Sequence, residues 1–196
     1  MKFAHQFMAS AALACLSASS FAATVFTSSA SFLANVQPGA YTENFTGLSA
    51  MPPASFSGGV FGYSISAPGN TYSNGDFIGT SLPNEVLTVS FSSGAVTALG
   101  ANFYASDLSD AFQAVSLTLT LSDGTVETFT PSSVADSYRG FISTVAITSL
   151  TIGGPGTSLY AGLDNLTVGR AVPEPTGLSL AGLALAGLFV ARRRKG

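Results

Sequence analysis

Apolar and polar residues alternate along much of the chain between residues 23 and 169. In 115–121 every odd position is apolar and every even position is Ser or Thr. The run 85–91 repeats this pattern, with Leu87, Val89 and Phe91 on one side. A period of two is typical of strands that have one buried and one solvent-facing side. The pattern therefore predicts an all-β body.

Asp123-Gly124 separates two of these runs and predicts a β-hairpin, because a type I′ turn needs positive φ at both central residues. A two-residue loop pairs Leu121 with Val126. It also places Phe129 on the same face as Thr118, so a bulge or a covering second layer is needed to keep the apolar face continuous.

The remaining strand predictions are 41–45, 60–66, 77–79, 96–104, 140–143, 149–152 and 160–168. One short helix is predicted over 30–36, capped by Ser29 and ended by Pro38-Gly39. Many short strands without intervening helices predict two antiparallel sheets packed face to face. We interpret the body, 23–170, as an antiparallel two-sheet β-sandwich of jelly-roll type.

The amino end has the features of a secretory signal peptide over 1–22. Lys2 precedes an apolar run, and Ser20-Phe21-Ala22 offers small residues at a cleavage site. The alternatives are a buried amphipathic helix and a lipoprotein signal that uses Cys15.

The carboxyl end predicts a short transmembrane helix over 176–191. The stretch 177–191 has no charge, and the basic tail 192–196 follows it with Arg192, Arg193, Arg194 and Lys195. A span usually needs about 17–25 residues, and basic side chains extend its reach toward the headgroups. Basic residues favour the cytoplasmic side, which puts the body on the far side of the membrane. The alternative is a buried core helix.

A linker, 171–175, joins the body to this helix and contains Pro173, Glu174 and Pro175. A Pro-Glu-Pro motif, a short apolar helix and a terminal arginine cluster, in that order, resemble the PEP-CTERM sorting signal. The resemblance implies a membrane-anchored precursor that an exosortase processes near the motif. Proline lacks an N–H and disfavours helix in the preceding residue, so the motif is expected to be extended.

Two passages of the body, 140–152 and 163–169, resemble segments of PEP-CTERM protein bodies. The second also resembles the last strand of jelly-roll modules of the galactose-binding type, some of which hold calcium. That resemblance implies calcium as a candidate cofactor, with Glu43 and Asp164 as the preferred ligands if the terminal strands pair. Asp107 and Asp110 are weaker candidates, because they lack a full calcium-loop pattern.

Composition limits the chemistry of the body. Between residues 23 and 169 there are nine acidic residues and one basic residue, Arg139, which gives a net charge of −8. This charge argues against nucleic acid as a partner. The same stretch contains no His, Cys or Lys, which excludes Ser-His-Asp and Cys-His catalysis and zinc sites of His and Cys. A carboxylate-based glycosidase or lyase remains as an alternative.

Sugar binding has aromatic candidates but no Trp. The tyrosines available as platforms or as core residues are Tyr63, Tyr72, Tyr104, Tyr138 and Tyr160.

We therefore expect a non-enzymatic exported protein. Its precursor is in the inner membrane with the body in the periplasm, and its mature form is at the cell surface or in the extracellular polysaccharide matrix. Expected partners are signal peptidase and the secretion machinery, an exosortase and extracellular polysaccharide. A calcium-dependent carbohydrate-binding module is an alternative function.

Overall fold

The computed structural model describes residues 22–173. The predicted signal peptide up to residue 21, Glu174, Pro175, the predicted membrane helix 176–191 and the basic tail 192–196 lie outside the described residues. Within 22–173, no helix has the length and apolar character needed to cross a bilayer.

The described chain consists of short strands and two short helices. The strands are β1 (Thr24–Phe26), β2 (Tyr41–Glu43), β3 (Ser55–Gly58), β4 (Phe61–Ser66), β5 (Thr71–Ser73), β6 (Ile78–Thr80), β7 (Leu87–Ser93), β8 (Ala98–Ser106), β9 (Phe112–Gln113), β10 (Leu117–Leu121), β11 (Val126–Phe129), β12 (Tyr138–Ile142), β13 (Ser149–Ile152) and β14 (Tyr160–Gly169). The helices are α1 (Ser29–Leu33) and a 3₁₀ helix (Ala135–Ser137).

The strands form two sheets, and every strand pair within residues 22–173 is antiparallel. The larger sheet has the order β1-β12-β8-β14-β6-β5, with β2 also paired to β14 and β9 to β8. The smaller sheet has the order β11-β10-β13-β7-β4-β3. This arrangement confirms the predicted all-β body of two antiparallel sheets.

The apolar faces of the two sheets meet in one core. In β10 the odd positions are buried and the even positions are exposed, as the alternation predicts. Leu99 and Phe103 of β8 and Leu163 of β14 face them from the larger sheet, all three with 0% exposure. A fully buried Leu or Phe side chain contributes roughly 1.5–3 kcal/mol. Burial therefore holds together a body whose sequence from residue 23 to 169 has no Cys.

The hairpin between β10 and β11 differs in register from the prediction. Leu121 pairs with Thr125, whose carbonyl accepts its N–H at 2.9 Å, and not with Val126. The loop therefore has three residues, and its glycine has a φ of 92°. Three-residue hairpin loops of this kind carry a bulge at a left-handed residue. Phe129 consequently lies opposite Leu117 and faces the core, which resolves the conflict in the predicted register.

Helix α1 covers one end of the larger sheet. It begins one residue before the predicted start, because Ser28 provides the cap and accepts the N–H of Ser31 at 3.3 Å. Phe32 is fully buried on the strand surface. A Cβ at Gly140 would lie 2.6 Å from the Phe32 ring, and one at Gly100 would lie 3.0 Å from it. Both strands need glycine here because the ring packs directly on their backbone.

Arg139, the single basic residue between 23 and 169, is mostly buried on β12. Its guanidinium lies 3.8 Å from the centroid of the Phe129 ring. Its Nε is 3.5 Å from Glu127 Oε1, which is an ion pair and not a hydrogen bond. Arg139 therefore packs in the interior of the body. It does not neutralise the exposed acidic residues elsewhere, which keep the surface negatively charged.

Candidate functional site

The junction between the body and the sorting segment is fixed by hydrogen bonds. The backbone N–H of Gln37 donates to the carbonyl of Arg170 at 2.8 Å. The side-chain amide of Gln37 donates to the carbonyl of Ala171 at 2.9 Å. The N–H of Ala171 donates to Thr97 Oγ1 at 2.8 Å. The first residue of the predicted linker is therefore docked on the body.

This pairing continues for one more residue. Ala171 forms a β-bridge with Val36, and the N–H of Val172 donates to the carbonyl of Asn35 at 2.9 Å. Pro173 follows and is exposed. It has no N–H to donate, so it cannot extend the pairing as a donor. Over the part of the chain that the structure describes, backbone pairing to the body thus extends to Val172, and the predicted motif begins at the next residue.

The two predicted calcium ligands lie on neighbouring stretches of chain. β2 pairs with β14, as the calcium prediction required, and Glu43 is opposite Leu166. Opposite residues of an antiparallel pair share a face, so Glu43 is on the side of the core. Its carboxylate accepts the Tyr41 hydroxyl and, at 3.1 Å, the N–H of Phe45. The Glu43 hydrogen bond raises the pKa of Tyr41 to about 12.

Asp164 lies on the opposite face of the same sheet. It is opposite Asn102, before a bulge that ends at Thr167. Asn165 occupies the bulge with a φ of 53° and donates to both Asp164 oxygens, from its N–H at 2.6 Å and its Nδ2 at 2.8 Å. Burial raises the pKa of Asp164, against the Asn165 backbone hydrogen bond, and the charge of Asp76 adds to the rise.

The bulge therefore separates the two carboxylates that sequence reasoning paired. Glu43 and Asp164 do not face each other across the β2–β14 pair. In residues 22–173 there is also no group of three or more His, Cys, Asp or Glu side chains placed to hold a metal ion.

Three aromatic rings lie together on the outer face of the larger sheet. Phe77 rests on the backbone of β6 and β14, where Cβ atoms at Gly79 and Gly162 would lie 3.2 and 3.3 Å from its ring. The Tyr72 and Tyr104 rings pack edge-on against it, with centroids 6.3 and 5.6 Å away. Glycine on both strands thus allows an aromatic layer outside the sheet.

Acidic side chains surround this layer. Tyr72 donates its hydroxyl to Asp110 Oδ2 at 3.1 Å. Asp107 stabilises its own turn, because its Oδ1 accepts the N–H of Ser109 at 2.8 Å. Burial raises the pKa of Tyr104, and the charges of Asp164, Asp110 and Asp76 raise it further. A cavity of about 180 Å³ opens beside the rings.

A model of the PEP-CTERM protein-sorting motif matches residues 171–195. The chain carries a PEP-CTERM sorting motif. The matched segment includes the Pro-Glu-Pro at 173–175 and the basic cluster at 192–195. The motif implies an exported protein that is made as a membrane-anchored precursor and processed by an exosortase. No curated protein and no solved structure matches the chain.

The sequence predicts the sorting segment but gives no indication of the acidic aromatic face. From the sequence, Tyr72, Tyr104 and Tyr160 are candidates for either core or ligand contact, and Asp110 is a weak candidate calcium ligand. Phe77 lies just after Asn74-Gly75-Asp76, a turn signal that gives no indication of an outward-facing ring. The face is built from β5, β6, β8 and β14, and no local spacing connects them.

Proposed function

We propose that this PEP-CTERM protein is deployed at the cell surface or in the extracellular polysaccharide matrix, where its β-sandwich has a structural or binding role. The predicted signal peptide 1–22 directs export and is removed by signal peptidase. The predicted helix 176–191 then holds the precursor in the inner membrane until an exosortase acts, and the body is in the periplasm at that stage.

The sorting motif at 171–195 is the observation that carries this proposal. The docked junction supports it, because within residues 22–173 the backbone hydrogen bonds to the body extend to Val172. Pro173, where the motif begins, is exposed. The motif therefore begins one residue after a segment that is hydrogen-bonded to the body.

The side chains of the body support a non-enzymatic role. Residues 23–169 contain no His, Cys or Lys, the residue types on which most nucleophilic catalysis depends. We further propose that the sandwich is of the jelly-roll type. Pairing of an early strand, β2, with the last strand, β14, supports that interpretation.

Replacement of Pro173-Glu174-Pro175 by three alanines tests the sorting role. In cells that contain an exosortase, we expect the variant to accumulate in the membrane fraction at the mass of the uncleaved precursor. Replacing Pro52-Pro53, two prolines of a loop in the body, by alanines is the matched control and should leave maturation unchanged. Normal maturation of the Pro-Glu-Pro variant would refute the proposal.

A further inference from the structure

The cavity on the outer face of the larger sheet has the composition of a small-ligand site. Tyr72, Phe77 and Tyr160 supply aromatic walls, and Asp107 and Asp110 add carboxylates. The cavity therefore offers a ligand both apolar ring faces and hydrogen-bond acceptors.

The size of the cavity favours a single ring. Its volume of about 180 Å³ is below the roughly 300–1,000 Å³ of pockets that enclose drug-sized ligands. Leu108, one of its lining residues, is 85% exposed, so the cavity reaches the protein surface. A ring that belongs to a longer chain can therefore enter while the rest of that chain stays outside.

The charges decide which ligands suit the cavity. Asp107 and Asp110 line it, and within residues 22–173 no Lys, Arg or His does. Asp76 and Asp164 add negative charge nearby, since both raise the pKa of Tyr104 in the adjoining aromatic layer. An anionic ligand would be repelled.

Hydroxyl donors match the carboxylates, and apolar C–H faces match the aromatic rings. We propose that this cavity binds one uncharged pyranose ring of a polysaccharide, with the Tyr160 ring as its platform and the Asp110 carboxylate as a hydroxyl acceptor. This inference deepens the binding role proposed above by naming the ligand class. The binding test does not depend on sorting, because it uses purified protein. A failure to bind sugar would therefore leave the proposed sorting role, which the maturation assay tests, unaffected.

The test is saturation-transfer NMR and calorimetry on the full chain, purified in a polyoxyethylene detergent that has no sugar headgroup. The probes are the methyl glycosides of glucose, galactose, N-acetylglucosamine and glucuronic acid. We expect millimolar binding of at least one uncharged glycoside and no binding of the glucuronide. If no uncharged glycoside binds, or if the glucuronide binds as well as they do, the proposal is overturned.

Three variants locate the binding in the cavity. Tyr160→Ala should abolish transfer to the sugar, whereas Tyr160→Phe keeps the ring and should retain it. Asp110→Asn should weaken binding about tenfold, the effect of losing one charge-assisted hydrogen bond. It can still accept the Tyr72 hydroxyl.

Asp136→Asn, at an acid that does not line the cavity, is the matched control and should bind like the parent protein. Unchanged melting temperatures show that the variants are folded. Binding that survives both Tyr160→Ala and Asp110→Asn would refute the cavity as the site.

Discussion

Removing the hydroxyl of Tyr63 should stabilise the protein. Tyr63 lies on β4 with 1% exposure, and its ring stacks on Phe56 with centroids 5.5 Å apart. Its hydroxyl is buried and has no hydrogen-bond partner among the described residues. Burial raises its pKa, and the nearby Glu43 charge raises it further, so the hydroxyl stays neutral at physiological pH.

The expected size of the effect follows from two opposing terms. An unsatisfied buried polar group costs about 1–3 kcal/mol. Loss of one oxygen leaves a small void, which at about 24 cal/mol per Å³ costs only about a few tenths of a kcal/mol. Tyr63→Phe should therefore raise the free energy of unfolding by about 1–2 kcal/mol. For a chain of this size that corresponds to a rise in Tm of about 2–8 °C.

Circular dichroism of the full chain during thermal and urea unfolding measures this change. Tyr41→Phe is the matched control. The Tyr41 hydroxyl has a partner in Glu43, so its removal should lower the stability by about 0.5–1.5 kcal/mol. A loss of stability in Tyr63→Phe similar to that in Tyr41→Phe would refute the claim that the Tyr63 hydroxyl is unsatisfied.

Three further predictions concern the larger sheet. Burial raises the folded-state pKa of Asp164, so the contribution of Asp164 to stability should become more favourable as the pH falls through that pKa, and Asp164→Asn should be more stable than the parent at neutral pH. Equal pH profiles of Tm for the two proteins would contradict this. Gly140→Ala should destabilise by about 1–3 kcal/mol, because its Cβ would lie 2.6 Å from the Phe32 ring; unchanged urea unfolding would show that the ring can move. Removing calcium with a chelator should leave the Tm unchanged, because Glu43 and Asp164 occupy opposite faces of the sheet. A fall in Tm would indicate that the protein binds calcium after all.

The sequence predicted the strands that carry a local signal. β10 and β13 follow regular alternation, and the structure contains them close to or at their predicted bounds. The strands β1, β3, β5 and β9 have two to four residues each. β1 pairs with the distant β12, whereas β3, β5 and β9 pair with their chain neighbours β4, β6 and β8. None of the four contains two apolar residues two positions apart, so no alternation marks them in the sequence.

The functional regions also differ in how far the sequence predicts them. The sorting motif is contiguous, so its order and spacing are legible in the sequence. The pairing of Glu43 with Asp164 depended on the register of β14, and the bulge at Asn165 reverses the face on which Asp164 lies. Asn has an enhanced tendency to adopt positive φ, but nothing in the alternation of 160–168 fixes where the extra residue enters.

The mass of the mature carboxyl end tests the central claim most directly. The protein should be isolated from cells with an exosortase and from otherwise identical cells without it, and its carboxyl-terminal peptide measured by mass spectrometry. We expect a mature end near the Pro-Glu-Pro at 173–175 in the first cells and an intact end at Gly196 in the second. An intact Gly196 end on surface-exposed protein from exosortase-containing cells would contradict it.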